Sequence, residues 1–352
     1  MKVLMLSTDR KLFEADSAVG KRVALYAALM DELHIIVFSC APHRPPIRLG
    51  KNVFIYSTNS FSRFAYVYDA VRIGAALKGI DVVTTQDPFE VGLAGMLIAR
   101  RLGAPLHVQV HTDFLGAGFA QAHWPLNGIR MVIARFVLSR AKRIRTVSER
   151  IKEKLIATYA LTVPISVLPI FVDAGKFHML GHTTHPRFKT TLLVVSRLEK
   201  EKHVDTAIDA LKKARDAGFP AGIVVVGTGN EESALKKKVK DLGLSNEVEF
   251  PGFQADLLPY YSMADLVLSP GAPYEGFGMV VIEALAAGVP VLSRDVGVAR
   301  EAGAMIAEGN FGDALLAWLS GAREKGVLRY SPYASTDEYA RRFVEDIALC
   351  KP

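Results

Sequence analysis

Residues 270–292 constrain this chain most: Pro-Gly-Ala-Pro-Tyr-Glu-Gly-Phe-Gly-Met-Val-Val-Ile-Glu-Ala-Leu-Ala-Ala-Gly-Val-Pro-Val-Leu. Residues 265–269 before this stretch and 289–292 at its end read as short buried strands. Between them a Gly/Pro-rich loop leads into a helix over 278–287. Met279, Val280, Val281, Ile282, Ala284, Leu285, Ala286 and Ala287 make that helix apolar on every side, and such a helix is normally buried. Glu283 breaks the pattern. A carboxylate buried without donors costs several kcal/mol, so the fold has to offer Glu283 partners. A second carboxylate, Glu275, stands eight positions earlier, in the loop. Gly276 and Gly278 flank Phe277 and leave the backbone bare at the helix start. Peptide N–H groups there, with the helix dipole, form an anion site. Loop carboxylate, anion site and helix carboxylate could read a sugar, a diphosphate and a ribose in that order.

The rest of the chain alternates strands with helices of about 10–15 residues, which implies a parallel, doubly wound sheet. In the first half the spacing predicts strands over 2–7, 34–39, 52–57, 81–85, 105–110, 143–146 and 165–168. Helices are expected over 21–33, 64–77, 90–102, 127–141 and 149–159, the last capped by Ser148. Pro42, Pro45 and Pro46 exclude regular structure after the second strand. Residues 171–188 have no periodicity and read as an interdomain linker. Their histidines, His178, His182 and His185, suit a solvated stretch better than a metal site. The second half gives strands over 191–196, 221–226, 247–250, 266–269 and 289–293. Helices follow over 204–217, 231–242 with Asn230 as cap, 257–263 and 311–322. A final helix over 335–349 carries Tyr339, Phe343, Ile347 and Leu349 on one side. The expected layout is a domain over 1–170, the linker, a second domain over 189–334 and the final helix over 335–352.

With 352 residues the chain is long enough for two such domains. Its 50% hydrophobic and 22% charged residues are those of a folded globular protein. The two cysteines, Cys40 and Cys350, make no disulfide framework and suit a reducing cytosol. No apolar run reaches the ~18 residues of a membrane span. The opening Met1-Lys-Val-Leu-Met-Leu-Ser7 resembles a buried strand more than a signal peptide. A net charge of +7 fits anionic small ligands, nucleic acid or an anionic membrane surface, and does not choose among them.

Other candidates lie where strands end. Ligands of open α/β sheets sit beyond the carboxyl ends of strands. Ser196-Arg-Leu-Glu-Lys-Glu-Lys202 is so placed, with Arg197 as a fork and Lys202 as a point charge for phosphates. A solvated charged turn is the other reading. Gly227 and Gly229 permit close backbone approach to a ligand, or simply a tight turn. No third glycine completes a dinucleotide fingerprint there. His111 follows the strand 105–110, with Asp113 just beyond it and Asp87 after the preceding strand. Residues 114–144 interleave Phe114, Phe119, Trp124 and Phe136 with Arg130, Arg135, Arg140 and Arg143. That content suits a membrane surface and a lipid-phosphate acceptor, or an amphipathic helix with a solvated basic edge.

Glu275-Gly-Phe-Gly-x4-Glu283, followed by Ala284-x3-Gly288-x-Pro290-Val291, resembles the signature of glycosyltransferase family 4, retaining enzymes of GT-B fold. The resemblance covers most of the chain. It implies an α/β protein of two Rossmann-like doubly wound domains facing a cleft, with the final helix crossing back to the first. It implies that Glu275 contacts the donor sugar and Glu283 the ribose. Gly276, Phe277, Gly278 and Met279 would face the sugar and diphosphate through backbone. Arg197 and Lys202, beside Ser196, match an Arg and a Lys that contact the diphosphate. Gly227 and Gly229 would lie near the nucleotide, Phe253 against the base and His111 near the sugar. Glu275, Arg197, Lys202 and His111 are thus the implied catalytic set, with Asp113 and Asp9 on the acceptor side. Ser7-Thr-Asp9 departs from the family, many members of which have paired glycines there; the nearest here is Gly20.

The implied reaction moves a hexosyl-type unit from a nucleotide diphosphate sugar to an acceptor hydroxyl with retention. No Asp-x-Asp clamp is present, so no metal and no cofactor are expected. The implied acceptor is a glycan or lipid-linked molecule of the cell envelope, met in the cytoplasm or at the inner membrane face. Nucleic acid is not an expected partner. Two other readings stand beside this one. A nucleotide-sugar epimerase of GT-B fold would need an added acid/base pair. A non-catalytic binder of nucleic acid or lipid would explain the charge but not Glu283.

Overall fold

Lys-Val-Leu-Met-Leu-Ser has no polar alternation, as befits a strand covered on both faces, and Lys2–Ser7 is an interior strand of the first sheet. The computed structural model describes residues 1–14, 17–40, 43–177 and 181–351, with Ala18 described through its backbone. The chain forms two units. The first takes Met1–Leu115, Phe119–Pro169 and Tyr333–Pro352; the second takes Gly116–Gly118 and Ile170–Pro332.

The first unit holds β1 (Lys2–Ser7), β2 (Glu32–Val37), β3 (Ile47–Leu49), β4 (Val53–Ser57), β5 (Val82–Thr85), β6 (Leu106–Val110), β7 (Arg143–Thr146) and β8 (Ile165–Val167). Their order is β3-β4-β2-β1-β5-β6-β7-β8, and every pairing is parallel except β3 with β4. The winding reverses between β1 and β5, a topological switch point. The helices are α1 (Ala18–Ala27), α2 (Tyr66–Gly74), α3 (Glu90–Leu102), α4 (Phe119–Ala122), α5 (Leu126–Leu138) and α6 (Glu149–Tyr159). α2 packs on α3 and α3 on α5. Right-handed crossovers put α1 on the opposite face.

The second unit holds β9 (Thr190–Val195), β10 (Ala221–Val226), β11 (Val248–Gly252), β12 (Leu266–Ser269), β13 (Val291–Ser293) and β14 (Met305–Ile306), ordered β11-β10-β9-β12-β13-β14 and all parallel. Its switch point lies between β9 and β12. Helices α7 (Val204–Asp216), α8 (Glu232–Asp241), α9 (Leu258–Met263), α10 (Met279–Ala286), α11 (Ala299–Ala302) and α12 (Phe311–Ser320) complete it. Leu192, Ile208, Leu211, Leu268, Phe311 and Leu315 lie in its core.

The last helix, α13 (Thr336–Ala348), starts at Ser335, whose hydroxyl accepts the Glu338 N–H at 3.1 Å. As expected, it returns to the first unit, where it packs on α1. Tyr339, Phe343 and Ile347 are buried, while Leu349 is exposed. A polar clasp joins α13 to the sheet. Asp346 lies 3.0 Å from His107 Nε2 and accepts from Ser166 Oγ at 2.7 Å and Arg143 Nε at 2.5 Å. Arg145, 2% exposed, donates to the Tyr339 hydroxyl at 3.0 Å and to the Leu168 carbonyl at 2.8 Å.

Several local expectations need correction. The first helix stops at Ala27, and β2 starts at Glu32 because its register with β1 begins at Lys2↔Glu32. The proline-rich stretch is followed closely by β3, an antiparallel edge strand whose exposed side tolerates a neighbouring proline. Ser148 stands at the N-cap of α6, but its buried hydroxyl caps nothing. Asn230 precedes the N-cap of α8 and bonds Glu199 at 3.1 Å instead. His185, expected in solvent, stacks on Phe188 at 4.3 Å with Nε2 3.4 Å from Glu249, because its apolar ring finds a partner in the second unit. His178 lies outside the described residues. α11 and β14 have too few residues to leave a periodic signal.

Candidate active site

The loops beyond β9 and β12 flank the second switch point, and they are stitched together. The Ala272 N–H donates to the Glu201 carbonyl at 3.0 Å, and Lys202 Nζ is paired with Glu275. Arg197 is exposed, and its Nη2 reaches Glu201 at 3.3 Å. The structure thus brings Arg197, Lys202 and Glu275 to one place. Ser196 follows β9, and its Oγ is buried and unpartnered among the described residues.

Gly278 has φ +90°, in the left-handed region that glycine adopts freely, and stands at the N-cap of α10 without a capping side chain. The Val281 N–H of the first turn donates to the Gly278 carbonyl at 3.0 Å, which leaves the Met279 and Val280 N–H groups for another acceptor. Phe277 is buried, and its carbonyl accepts the Val298 N–H at 3.0 Å. What this Gly-Phe-Gly can offer a ligand is therefore backbone, not the phenyl ring. The helix is not buried throughout: Met279, in the first turn, is exposed, because that turn stands at the mouth of the site.

Glu283 is half-buried, and the Tyr261 hydroxyl donates to its Oε2 at 2.7 Å. Burial raises its pKa, and the Tyr261 bond offsets part of the rise. Tyr261 is the donor that the sequence demanded without naming. It lies in α9, and nothing in its local spacing marks it.

Gly227 and Gly229 have a definite partner. A Cβ at Gly227 would lie 1.9 Å from the Ser196 carbonyl, and one at Gly229 2.3 Å from the Leu198 carbonyl. The approach they permit is that of the Arg197 loop, fixed by Leu198 N–H to the Thr228 carbonyl at 2.9 Å. Phe253 follows β11 and is 68% exposed.

The remaining candidates lie in the first unit. His111 Nε2 is 3.2 Å from Gln109 Oε1. Burial, with the charges of Arg145 and Arg22, holds its pKa down to about 3, so the ring is neutral. Asp113 is buried and paired with Lys154, so this carboxylate already has a cation. Asp9 accepts the Lys11 N–H at 3.0 Å and caps a turn. Asp87, at the carboxyl end of β5, is lifted by burial to about 6, against the pull of the Phe89 N–H at 2.8 Å. Among the described residues no three His, Cys, Asp or Glu side chains converge as a metal site would require.

The basic stretch 114–144 divides. Phe114, Phe119, Ala134 and Val137 are buried. Arg130 holds Glu90 at 2.9 Å, and Arg143 holds Asp346. Outward stand Trp124, Leu126, Ile129, Val132 and Phe136. Arg135, Arg140 and Lys142 are exposed as well, so apolar and basic side chains share the surface of this stretch.

Two doubly wound parallel-sheet units in one chain define the GT-B architecture. The model of Glycosyltransferase Family 4 matches residues 23–176, and that of Glycosyl transferases group 1 matches residues 182–313. The chain belongs to the glycosyltransferase family these two models describe. A GDP-mannose-dependent alpha-(1-6)-phosphatidylinositol dimannoside mannosyltransferase of Mycobacterium tuberculosis is 36% identical over 152 residues, 40% of this chain and 37% of that protein. A GDP-mannose-dependent alpha-mannosyltransferase of Mycolicibacterium smegmatis is 31% identical over 65% of this chain and 60% of its own length. The chain thus spans about a third to three-fifths of these relatives. Among solved structures, the sucrose-phosphate synthase of Thermosynechococcus elongatus superposes with a TM-score of 0.75 at 18% identity, covering 99% of this chain and 96% of that one. HepE of Anabaena, solved with UDP and glucose, gives 0.68 at 17% identity over 99% and 95%.

Proposed function

We propose that this chain is a retaining glycosyltransferase that takes a hexosyl unit from a nucleotide diphosphate sugar to an acceptor hydroxyl. The observation that carries the reading is the meeting of Lys202 with Glu275 across the β9/β12 switch point, beside the bare start of α10. Lys202, Arg197 and the α10 N–H groups would hold the diphosphate and stabilise the charge it gains as the anomeric C–O bond breaks. Glu275 would meet the sugar hydroxyls, and Glu283, oriented by Tyr261, the ribose. The new C–O bond forms on the face the diphosphate leaves. The departing phosphate is the group that takes the acceptor's proton, so no protein base is assigned. Neither a metal ion nor a cofactor enters this scheme.

The acceptor proposed is a glycan or lipid-linked molecule, as suits relatives named for phosphatidylinositol mannosides. The groove between α3 and α5 supports contact with a membrane surface. It has a volume of about 520 Å³, with Leu93, Met96, Leu97 and Phe136 along it and Arg100, Arg140 and Lys142 beside them. No helix among the described residues is long and apolar enough to cross a membrane. The place of action proposed is the cytoplasm, at the inner membrane face.

The test is a thermal-melt panel with UDP, GDP, ADP and TDP. A nucleotide at 100 times its dissociation constant adds about 2.7 kcal/mol. A shift with one nucleotide, lost in Glu283→Ala, is the expected result. No shift with any of them would remove the reading.

A further inference from the structure

Phe61 and Phe64 are 92% and 99% exposed, and Tyr68 is 72% exposed. Phe61 and Phe64 lie in the connection from β4 to α2 and Tyr68 in the first turn of α2, at the carboxyl end of the first sheet. One exposed ring needs no explanation, but three within eight residues do. The connection is pinned from beneath. The Ser60 hydroxyl donates to Asp69 at 2.7 Å, and the Tyr66 ring leans on Phe38 with centroids 5.2 Å apart. Asn59 holds the Arg44 backbone through two bonds of 2.9 Å. These ties hold the phenylalanines outward.

The cations nearby are uncompensated. Arg63 sits between the two phenylalanines, and Arg72 follows Tyr68 by four residues, both exposed. Arg10 reaches the Tyr66 hydroxyl at 3.3 Å, and Arg44 stacks over Phe13 at 4.9 Å. Among the described residues none of these four guanidinium groups is paired with a carboxylate. Phenyl rings favour the acyl boundary, a tyrosine favours the interface, and guanidinium groups bind lipid phosphates by paired N–H bonds. A second copy of this chain would bring the same cations against them in a two-fold contact.

We propose that Phe61, Phe64 and Tyr68 form a wedge that inserts into an anionic membrane surface, with Arg10, Arg44, Arg63 and Arg72 on its phosphates. The wedge stands at the carboxyl end of the sheet and the α3/α5 groove at its amino end, beside Pro105 and Lys142, so the wedge takes the groove's place as the membrane contact. It deepens the lipid-linked acceptor reading, since it sets the end of the first unit that carries Asp9 and His111 at the lipid headgroups.

The test is co-sedimentation of the full chain with phosphatidylcholine vesicles, with and without phosphatidylglycerol, beside nucleotide melts of the same proteins. The expected result is binding that needs phosphatidylglycerol and falls at least about tenfold in Phe61→Ser/Phe64→Ser, as losing two inserted rings demands. Melting temperature and nucleotide shifts stay unchanged in that variant, and Arg63→Glu weakens vesicle binding too. Equal binding by the double variant, equal binding to neutral vesicles, or loss of self-association in place of vesicle binding would overturn the wedge. Vesicle binding without any nucleotide shift would remove the transferase reading and leave the wedge standing.

Discussion

The Tyr261 hydroxyl donates to Glu283 Oε2 at 2.7 Å, so one oxygen of this carboxylate is committed to the protein. The group is held at a cost, because burial raises its pKa. A carboxyl whose folded pKa lies above its unfolded one favours the protonated folded state. Its cost is absent below the ordinary carboxylate range and complete once pH has risen through the folded value. Glu283→Gln should therefore melt higher than the parent at neutral pH while binding nucleotide less well. Glu283→Ala should lose roughly 1.5–3 kcal/mol of nucleotide affinity, the worth of hydrogen bonds to a charged group. Calorimetric titration beside melting curves checks both.

Tyr261→Phe removes the oriented donor and keeps the ring. Glu283 then titrates higher still, since the bond from Tyr261 lowers its pKa. Nucleotide affinity should fall, and on acidification it should begin to fall at a higher pH than in the parent. A pH series of dissociation constants checks this; superimposable profiles would show that Tyr261 serves packing.

Arg197→Ala with Lys202→Ala should abolish transfer while the fold persists. Removing one group that stabilises transition-state charge costs about 10²–10³ in turnover. Arg197 is largely exposed and Lys202 partly so, which leaves little packing to lose. The measurement is product formation with the nucleotide sugar that the melt panel identifies, and full activity would show that the phosphates are held elsewhere.

Gly229→Ala should lower melting temperature and nucleotide affinity together. The new Cβ would meet the Leu198 carbonyl at 2.3 Å, so the loop that carries Arg197 has to move. Melting curves with and without nucleotide separate this from a purely global loss, which would leave the ligand-induced shift intact.

Asp346→Ala should cost about 3–5 kcal/mol, since it strands Arg143 and His107 without their carboxylate. Burial alone would raise the Asp346 pKa, but bonds from His107, Ser166 and Arg143 outweigh it and hold the group at about 2. Its stabilisation is complete above the ordinary aspartate value and is lost as pH falls toward 2. Burial also lowers the His107 pKa, against the pull of Asp346, and Nδ1 lies 2.8 Å from Thr84 Oγ1. Acid unfolding should thus begin at a higher pH in Asp346→Ala, as followed by circular dichroism.

The strands were legible where apolar residues run together, as in Leu192–Val195 and Ala221–Val226, because a parallel strand is covered on both faces. Lys202 and Glu275 were legible as one set through the family resemblance, and the structure pairs them because both follow strands at one switch point. What escaped is held by partners far apart in the chain. His107 meets Asp346 and Arg145 meets Tyr339 across about two hundred residues, and no local spacing announces either. Asp113 reads as a ligand because it follows a strand, but Lys154 occupies it. Gly227 and Gly229 read as making room for a ligand, and the backbone they make room for is the chain's own.

The first unit is completed by Tyr333–Pro352, which emerges from the ribosome after every residue of Ile170–Pro332. During synthesis the second unit has all its strands while Arg145 and His107 still wait for Tyr339 and Asp346. The half of the protein that begins first finishes last. A nascent chain halted before α13 would expose the polar face of β6 and β7, and quality-control factors acting on that intermediate would meet a cationic, unsealed sheet in a chain whose second unit is already complete.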